Sequence, residues 1–203
     1  MTPLDFAVAH LPPAPARVLD VGCGDGDLTR ALVERGYEAR GIDPVAPEGP
    51  AFERVALEDL RVERPYDAAV AVVSLHHVTD LAAAVERLAA AIVPGGLLLV
   101  DEFDREQLDA PTTRWWWRQR QALAAAGLGP EPEEPDAHDL ADIFTWEAVR
   151  EALAARFDEQ SLERIEYLYR FETHPALQPL ERAMIEAGAI KPTGVRCVAR
   201  GRA

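Results

Sequence analysis

Lysine and cysteine are scarce in this sequence. Lys191 is the single lysine among 203 residues, so nearly all of the positive charge is arginine. The two cysteines, Cys23 and Cys197, lie far apart, and neither has the CxxC or Cys/His spacing of a zinc site. We therefore expect no bound metal. Because isolated thiols are typical of a reducing compartment, we also expect a cytoplasmic protein.

Long apolar runs are absent as well. No segment approaches the roughly 20 apolar residues that a membrane-spanning helix requires. The segment from Met1 to Pro13 contains an acidic Asp5 and several prolines and lacks a basic region, so it does not resemble a signal peptide. The sequence therefore predicts no membrane association.

Basic residues are outnumbered by acidic ones. There are 21 Lys and Arg against 35 Asp and Glu, and the formal net charge is −14. A surface this negative repels phosphate backbones and anionic lipid, which argues against a nucleic-acid or membrane partner. A length of 203 residues with 48% hydrophobic residues favours one soluble globular domain, and a monomer or a homodimer is expected.

The first half of the chain alternates short apolar runs with segments of helical spacing. Alternation of this kind is typical of a mostly parallel sheet with helices on both faces. The predicted strands are residues 17–21, 37–42, 52–57, 67–73 and 97–100, and the predicted helices are residues 25–35 and 81–92.

The second half has a different pattern. A helix is predicted over residues 114–126, followed by an acidic loop over 127–142 and a helix over 146–156. Residues 162–171 alternate with period two and predict a half-buried strand. A helical stripe over 177–187 and a strand over 193–199 complete the chain, which suggests an antiparallel end to the sheet.

The most informative local pattern is the turn after the first predicted strand. Gly22, Gly24 and Gly26 alternate there, which allows unusual backbone angles and close approach of a ligand. The next strand ends at Asp43, whose carboxylate can accept hydrogen bonds from two ribose hydroxyls. This arrangement suits either a dinucleotide or an adenosyl ligand.

Two acidic residues distinguish these ligands. The dinucleotide fingerprint GxGxxG requires glycine where this chain has Asp27. Asp25 and Asp27 would also place negative charge beside a pyrophosphate, which is unfavourable. A cationic sulfonium ligand with an amino group is compatible with this loop, and Asp20 adds another carboxylate nearby. A nucleotide-dependent oxidoreductase is therefore the less favoured alternative.

The chain resembles the class I S-adenosylmethionine-dependent methyltransferases. The resemblance rests on VLDVGCGDG (18–26), GIDP (41–44), ALEDL (56–60), YDAAVAVVSLHHV (66–78) and VPGGLLLVDE (93–102). It implies a Rossmann-like α/β fold with a mixed seven-stranded sheet, mostly parallel with an antiparallel last strand. It also implies S-adenosyl-L-methionine as cofactor, with S-adenosyl-L-homocysteine as product, and methyl transfer to a small molecule.

The resemblance also assigns roles to individual residues. Asp20 and the loop Gly22–Gly26 would hold the methionine part, and Asp43 would bind the ribose hydroxyls. The backbone of Leu57 and the side chain of Glu58 would recognise the adenine edge. Ser74 and Leu75 would line the reaction face. Ala56 stands where family members often have aspartate, so adenine recognition shifts to Glu58 or Asp59. The full set of predicted cofactor residues is Asp20, Gly22, Cys23, Gly24, Gly26, Asp43, Pro44, Leu57, Glu58, Ser74 and Leu75.

Catalytic candidates follow the predicted fourth and fifth strands. They are His76, His77, Asp101 and Glu102, and the two histidines are the candidate catalytic bases because imidazole titrates near neutral pH. A base is needed only if the acceptor must lose a proton. The alternative interpretation is that both histidines are structural.

Three consecutive tryptophans, 115–117, mark the predicted helix 114–126. Successive helical residues point about 100° apart, so the three cannot all face one core. The candidate substrate-binding residues are Arg114, Trp115, Trp116 and Arg118, on a predicted cap over residues 102–145 of a single domain 1–203. The alternative is a packed helix with arginines facing water. A regulatory module that binds the cofactor without methyl transfer is the non-enzymatic alternative.

Overall fold

The computed structural model describes residues 1–132 and 143–202. Residues 133–142, which belong to the predicted acidic loop and to the predicted cap, lie outside the described residues. The helices are α1 Pro3–His10, α2 Asp27–Glu34, α3 Leu81–Ala91, α4 Ala110–Ala125, α5 Trp146–Leu153 and α6 Gln178–Glu186. The strands are β1 Arg17–Val21, β2 Glu38–Ile42, β3 Phe52–Glu53, β4 Tyr66–Val72, β5 Ile92–Phe103, β6 Phe157–Ile165 and β7 Gly194–Gly201.

The seven strands form one sheet in the order β3-β2-β1-β4-β5-β7-β6. Strand β1 pairs in parallel with β2 on one side and with β4 on the other, and β4 pairs in parallel with β5. Strand β7 is antiparallel. The predicted fold class, a Rossmann-like and mostly parallel mixed sheet with an antiparallel last strand, is confirmed.

Contacts divide the chain into two compact units. The first contains Met1–Glu102, Glu147–Leu162 and Arg196–Ala203, and the second contains Phe103–Trp146 and Glu163–Val195. The core of the first unit joins α1 and α2 to residues of the sheet, among them Phe6, Leu32, Val18, Val70 and Val198. Among the residues that the structure describes, no helix has both the length and the apolar character needed to cross a membrane.

Helix α1 was not predicted from the sequence. Its start nevertheless has a strong local cause. Thr2 and Asp5 form a reciprocal capping box, in which each side chain accepts a hydrogen bond from the other residue's backbone amide. Pro3 occupies the first turn of the helix, where the missing N–H costs nothing.

The predicted strand over residues 162–171 is wrong beyond Ile165. The described strand β6 begins at Phe157 and ends at Ile165, and residues 168–170 form a short 3-10 helix. The cause is the buried carboxylate of Glu181, which accepts the backbone N–H groups of Tyr167, Leu168 and Tyr169 at 2.8, 2.9 and 2.6 Å. These donors therefore cannot pair with a neighbouring strand, although the side chains alternate as a strand would require.

Other predicted boundaries shift by a few residues. Strand β3 contains two residues where 52–57 was predicted, and β5 extends over 92–103 where 97–100 was predicted. A register irregularity in the β4–β5 pairing accommodates the Pro-Gly-Gly segment that follows α3. Helix α4 begins four residues early, because Asp109 caps it and its side chain accepts the amide of Thr112.

Candidate functional site

Three neighbouring strands end at the candidate site. Gly22 follows β1, Asp43 follows β2, and Val73 follows β4. The strand order reverses at this point, since β2 lies on one side of β1 and β4 on the other. Open α/β sheets bind ligands at such switch points, beyond the carboxyl ends of the strands. The topology therefore brings the predicted glycine loop, ribose-binding acid and reaction face to one edge of the sheet.

A cavity of about 250 Å³ lies between these strand ends. Its walls are mainly aliphatic, and its polar groups come from Asp43, Glu58, Ser74, His77 and Thr79. An apolar wall with a few convergent polar groups is typical of a small-molecule site. The lining residues are Val21, Gly22, Ile42, Asp43, Pro44, Val55, Ala56, Leu57, Glu58, Val73, Ser74, His77, Val78 and Thr79.

The glycine loop is bound to the end of β2. The backbone N–H groups of Gly22 and Cys23 both donate to the carbonyl of Ile42, at 2.8 and 3.0 Å. Gly22 has a φ of +69°, and a Cβ placed on it would lie 2.3 Å from the Cβ of Ser74. Real Cβ atoms do not approach this closely, so only glycine fits beside the loop that follows β4.

Asp43 connects the glycine loop to the loop after β2. Its Oδ2 accepts the N–H of Gly24 at 3.1 Å, and its Oδ1 accepts the N–H of Val45 at 2.9 Å. A carboxylate has about four lone-pair positions, so each oxygen keeps acceptor capacity toward a ligand. Asp43 is half-buried and lines the cavity. Its position is compatible with the predicted ribose contact.

Asp20 and Cys23 are the predicted residues with the most perturbed titration. Asp20 is 2% exposed, and the hydroxyl of Thr29 donates to it at 2.6 Å. Burial raises the pKa of Asp20 to about 6, and the hydrogen bonds from Thr29 oppose that rise. Burial, followed by the nearby Asp20, raises the pKa of the Cys23 thiol to about 12, which makes this thiol a poor nucleophile.

Of the two alternatives for adenine recognition, Glu58 lines the cavity and Asp59 is exposed. The Oε1 of Glu58 accepts both the backbone N–H and the hydroxyl of Thr79, at 2.9 and 3.0 Å. Partial burial acts to raise the pKa of Glu58, but hydrogen bonds from its own backbone and from Thr79 outweigh it and lower that pKa. Glu58 is therefore an ionised side chain that joins two loops at the cavity.

The loop after β4 has an unusual backbone. Val73 has a φ of +52°, which is a genuine outlier for a β-branched residue. The hydroxyl oxygen of the following Ser74 is buried and has no hydrogen-bond partner among the described residues. Strain and unsatisfied polar atoms of this kind are concentrated at functional sites. Leu75, also predicted to contact the cofactor, is fully buried beside it.

The catalytic candidates have distinct environments. Asp101 is buried and accepts the guanidinium Nε of Arg196 at 2.8 Å, while the carboxylate of Glu102 is bonded to Nδ1 of His76. His76 is 4% exposed, whereas His77 is exposed and lines the cavity. Partial burial, followed by the nearby His76, lowers the pKa of His77. Of the two histidines, His77 is therefore the one that lines the cavity. Its lowered pKa keeps its imidazole neutral near neutral pH.

The candidate substrate-binding residues belong to helix α4 in the second unit. Trp115 and Trp116 are buried, whereas Arg114 and Arg118 are exposed. The ring of Trp116 stacks on Phe171 with centroids 5.2 Å apart, and its indole N–H donates to the carbonyl of Phe171 at 2.9 Å. This tryptophan therefore contributes to the packing of its own unit.

Sequence reasoning missed several lining residues of the site, among them Val73 and Thr79. Thr79 carried no signal, since a threonine before a helix is usually a capping residue, and its contact with Glu58 spans 21 positions. Val73 appeared to be the last residue of an apolar strand. Among residues 1–132 and 143–202, no cluster of side chains has the composition of a metal site.

The family is established by sequence. Residues 3–165 match the family described as Methyltransferase domain, and the chain belongs to this family. A ubiquinone biosynthesis O-methyltransferase from Xylella fastidiosa is 38% identical over 118 residues, which are 50% of this chain and 48% of that protein. The chain thus matches about half the length of the curated relatives.

Solved structures with the same fold cover nearly the whole chain. An S-adenosylmethionine dependent methyltransferase from Mesorhizobium loti is 20% identical, with a TM-score of 0.62 over 97% of this chain and 99% of that chain. The 1,6-didemethyltoxoflavin-N1-methyltransferase of Burkholderia thailandensis, solved with bound 1,6-didemethyltoxoflavin and S-adenosylhomocysteine, is also 20% identical. Its TM-score is 0.60, over 99% of this chain and 76% of that chain. At this identity the likeness concerns the fold.

Proposed function

We propose that this protein is an S-adenosylmethionine-dependent methyltransferase acting on a small molecule. The observation that carries the proposal is the cavity at the switch point of the sheet, where the glycine loop, Asp43 and the loop after β4 converge. The names of the relatives agree with this activity. S-adenosylmethionine, when bound, would supply a methyl group on a sulfonium that is already a good leaving group.

The residues present are compatible with that cofactor. We propose that Asp43 accepts hydrogen bonds from the ribose hydroxyls and that the aliphatic walls, with Leu57, enclose the adenine. Glu58 would contact the adenine edge through the acceptor capacity that its bond to Thr79 leaves. The buried hydroxyl of Ser74 supplies a donor that has no other partner among the described residues. The glycine loop, with Asp20 behind it, would hold the methionine part.

His77 is our candidate for handling the proton of the acceptor. Methyl transfer depends mainly on approach and orientation, so a base is needed only when the acceptor must lose a proton. The lowered pKa of His77 keeps its imidazole neutral near neutral pH, and a neutral imidazole can accept a proton. We assign His76 a supporting role, because its Nδ1 is bonded to Glu102.

We propose that Arg114 and Arg118, both exposed, bind the acceptor. We expect neither nucleic acid nor membrane as partner, given the net charge of −14. Both cysteines are free thiols, which supports a reducing compartment such as the cytoplasm. A monomer or a homodimer is expected.

Two titrations and one transfer assay test the proposal. Calorimetry should detect binding of S-adenosylhomocysteine and no binding of NAD. Labelled S-adenosylmethionine, incubated with the protein and a small-molecule extract, should yield a labelled product of low molecular mass. Absence of S-adenosylhomocysteine binding would refute the proposal, and binding of NAD alone would favour an oxidoreductase. Cofactor binding without any transfer would favour the regulatory alternative.

A further inference from the structure

The loop after β4 is organised by one buried carboxylate, that of Glu102 at the end of β5. Glu102 is 1% exposed. Its Oε1 accepts the backbone N–H groups of Ser74 and Leu75 at 2.9 and 2.7 Å, and its Oε2 is bonded to Nδ1 of His76. Three consecutive residues of the loop are therefore bound to a single side chain 26 to 28 positions away.

These bonds stabilise a backbone that would otherwise be unfavourable. Val73, immediately before the bonded residues, has a φ of +52°. A left-handed conformation at a residue of this kind persists only where the surroundings determine it. Val73 itself donates its N–H to the carbonyl of Asp101, at 2.8 Å, so the loop is bound to two successive residues of β5.

The loop also determines one wall of the cavity. Ser74, bonded to Glu102, lies against Gly22 so closely that no side chain fits between them. The ring of His77 packs against that of His76 in a tilted arrangement, with centroids 4.1 Å apart and an interplanar angle of 50°, and His77 lines the cavity from the other end of the loop. Glu102 therefore determines where Ser74 lies against the glycine loop. Through His76, it also determines where the ring of the candidate base His77 lies.

We propose that Glu102 is a positioning residue of the cofactor site: its carboxylate holds residues 73–77 so that Ser74 and His77 face the cavity. This inference rests on the proposed function. Glu102 does not line the cavity, and it acts through the loop rather than by touching the ligand.

Glu181 provides a matched control. It is fully buried, and its carboxylate accepts backbone N–H groups of three consecutive residues, 167–169 of the second unit, whereas Glu102 bonds two backbone N–H groups and one histidine ring. Glu102→Gln and Glu181→Gln therefore each replace, by an amide, a buried carboxyl group that is bonded to three consecutive residues. Both variants should lose stability, but only Glu102→Gln changes a loop that lines the cavity.

The experiment compares the affinity for S-adenosylhomocysteine, measured by calorimetry at a temperature where circular dichroism shows all proteins folded. Glu102→Gln should weaken binding about tenfold, the effect of losing a charge-assisted hydrogen bond. Glu181→Gln should bind within about twofold of the unaltered protein. Equal affinities for the two variants would overturn the inference. Glu102→Asp, which keeps the charge but is shorter, should also weaken binding and replaces the Gln variant if that does not fold.

A thermodynamic cycle with Val73→Gly adds a readout specific for loop strain. Glycine adopts a positive φ without penalty, so less of the loop conformation then depends on Glu102. Glu102→Gln should cost less affinity in the Val73→Gly background than in the unaltered protein. If Glu102→Gln lowered the affinity equally with and without Val73→Gly, the proposed coupling between Glu102 and the backbone of Val73 would be contradicted.

Proton NMR tests the inference independently of the cofactor. The Nδ1 proton of His76 is buried and bonded to Glu102, so it should give a slowly exchanging downfield signal. The signal should disappear in Glu102→Gln and remain in Glu181→Gln. If the unaltered protein fails to bind S-adenosylhomocysteine, the proposed function is refuted. If it binds while Glu102→Gln binds equally well, only the positioning role is refuted.

Discussion

Replacing Gly22 by alanine should be far more damaging than the same change at Gly24, two residues along the same loop. Both glycines have a positive φ, +69° and +50°. Alanine in this region costs about 1 kcal/mol because its Cβ approaches the backbone. That part of the penalty is common to the two positions, so the difference between the variants measures the steric environment alone.

The steric environments differ strongly. At Gly24 no atom lies within 4 Å of the added Cβ, whereas at Gly22 the Cβ of Ser74 lies 2.3 Å away. An ordinary carbon contact is roughly 3.5 Å, so Ser74 must move by about 1 Å. The N–H of Ser74 is bonded to Glu102 at 2.9 Å, and a displacement of that size would break the bond.

Loss of a hydrogen bond to a charged group costs roughly 2 kcal/mol. Gly22→Ala should therefore lower the free energy of unfolding by about 3 kcal/mol and Gly24→Ala by about 1 kcal/mol. Urea titration followed by circular dichroism measures both values, and similar denaturant slopes for the variants would validate the comparison. If the two variants were destabilised equally, the tight contact between Gly22 and the loop after β4 would not exist in solution.

Three further predictions concern charged side chains. Asp43→Ala should weaken S-adenosylhomocysteine binding by about 1–3 kcal/mol in calorimetry. Asp25→Ala removes an exposed carboxylate from the neighbouring glycine loop and should leave the affinity unchanged. Equal losses of affinity in the two variants would leave Asp43 without a specific role. Because burial raises the pKa of Asp20 from 3.8 to about 6, its protonation stabilises the folded state below pH 3.8, and this contribution is lost as the pH rises through 6. Asp20→Asn should therefore gain stability relative to the unaltered protein over that range, by roughly 3 kcal/mol, and pH-dependent urea unfolding that showed no gain would contradict the raised pKa. Arg196→Met, which breaks a buried ion pair, should cost about 3 kcal/mol, while Arg202→Met, which breaks an exposed pair, should cost under about 1 kcal/mol in the same assay.

The parts of the molecule that the sequence predicts are those specified by neighbouring residues. The glycine loop and Asp43 follow predicted strands directly, and parallel strands bring such positions to the same edge of the sheet. The fold class follows for the same reason, from the alternation of apolar runs and helical spacing. The assigned roles of these residues toward the cofactor stay predictions.

Contacts between distant residues could not be predicted. Glu102 was a catalytic candidate by its position after a predicted strand, and the sequence does not show that residues 74–76 are bonded to its carboxylate. In the same way, the alternating residues 167–171 satisfy the local rule for a strand, but Glu181 takes the backbone donors that a strand would need. In both cases a buried acid from another element overrides local preference.

The bond between Glu58 and Thr79 affects how a ligand would enter the cavity. It joins the segment after β3 to the segment before α3, so two segments that line the cavity are already connected without a ligand. A binding site whose loops are ordered in advance loses little conformational entropy when it is filled. Association at this cavity should therefore proceed without a slow ordering step, and its rate should depend on diffusion and on local charge. Breaking the bond between Glu58 and Thr79 would slow the association of the ligand and would also weaken its affinity.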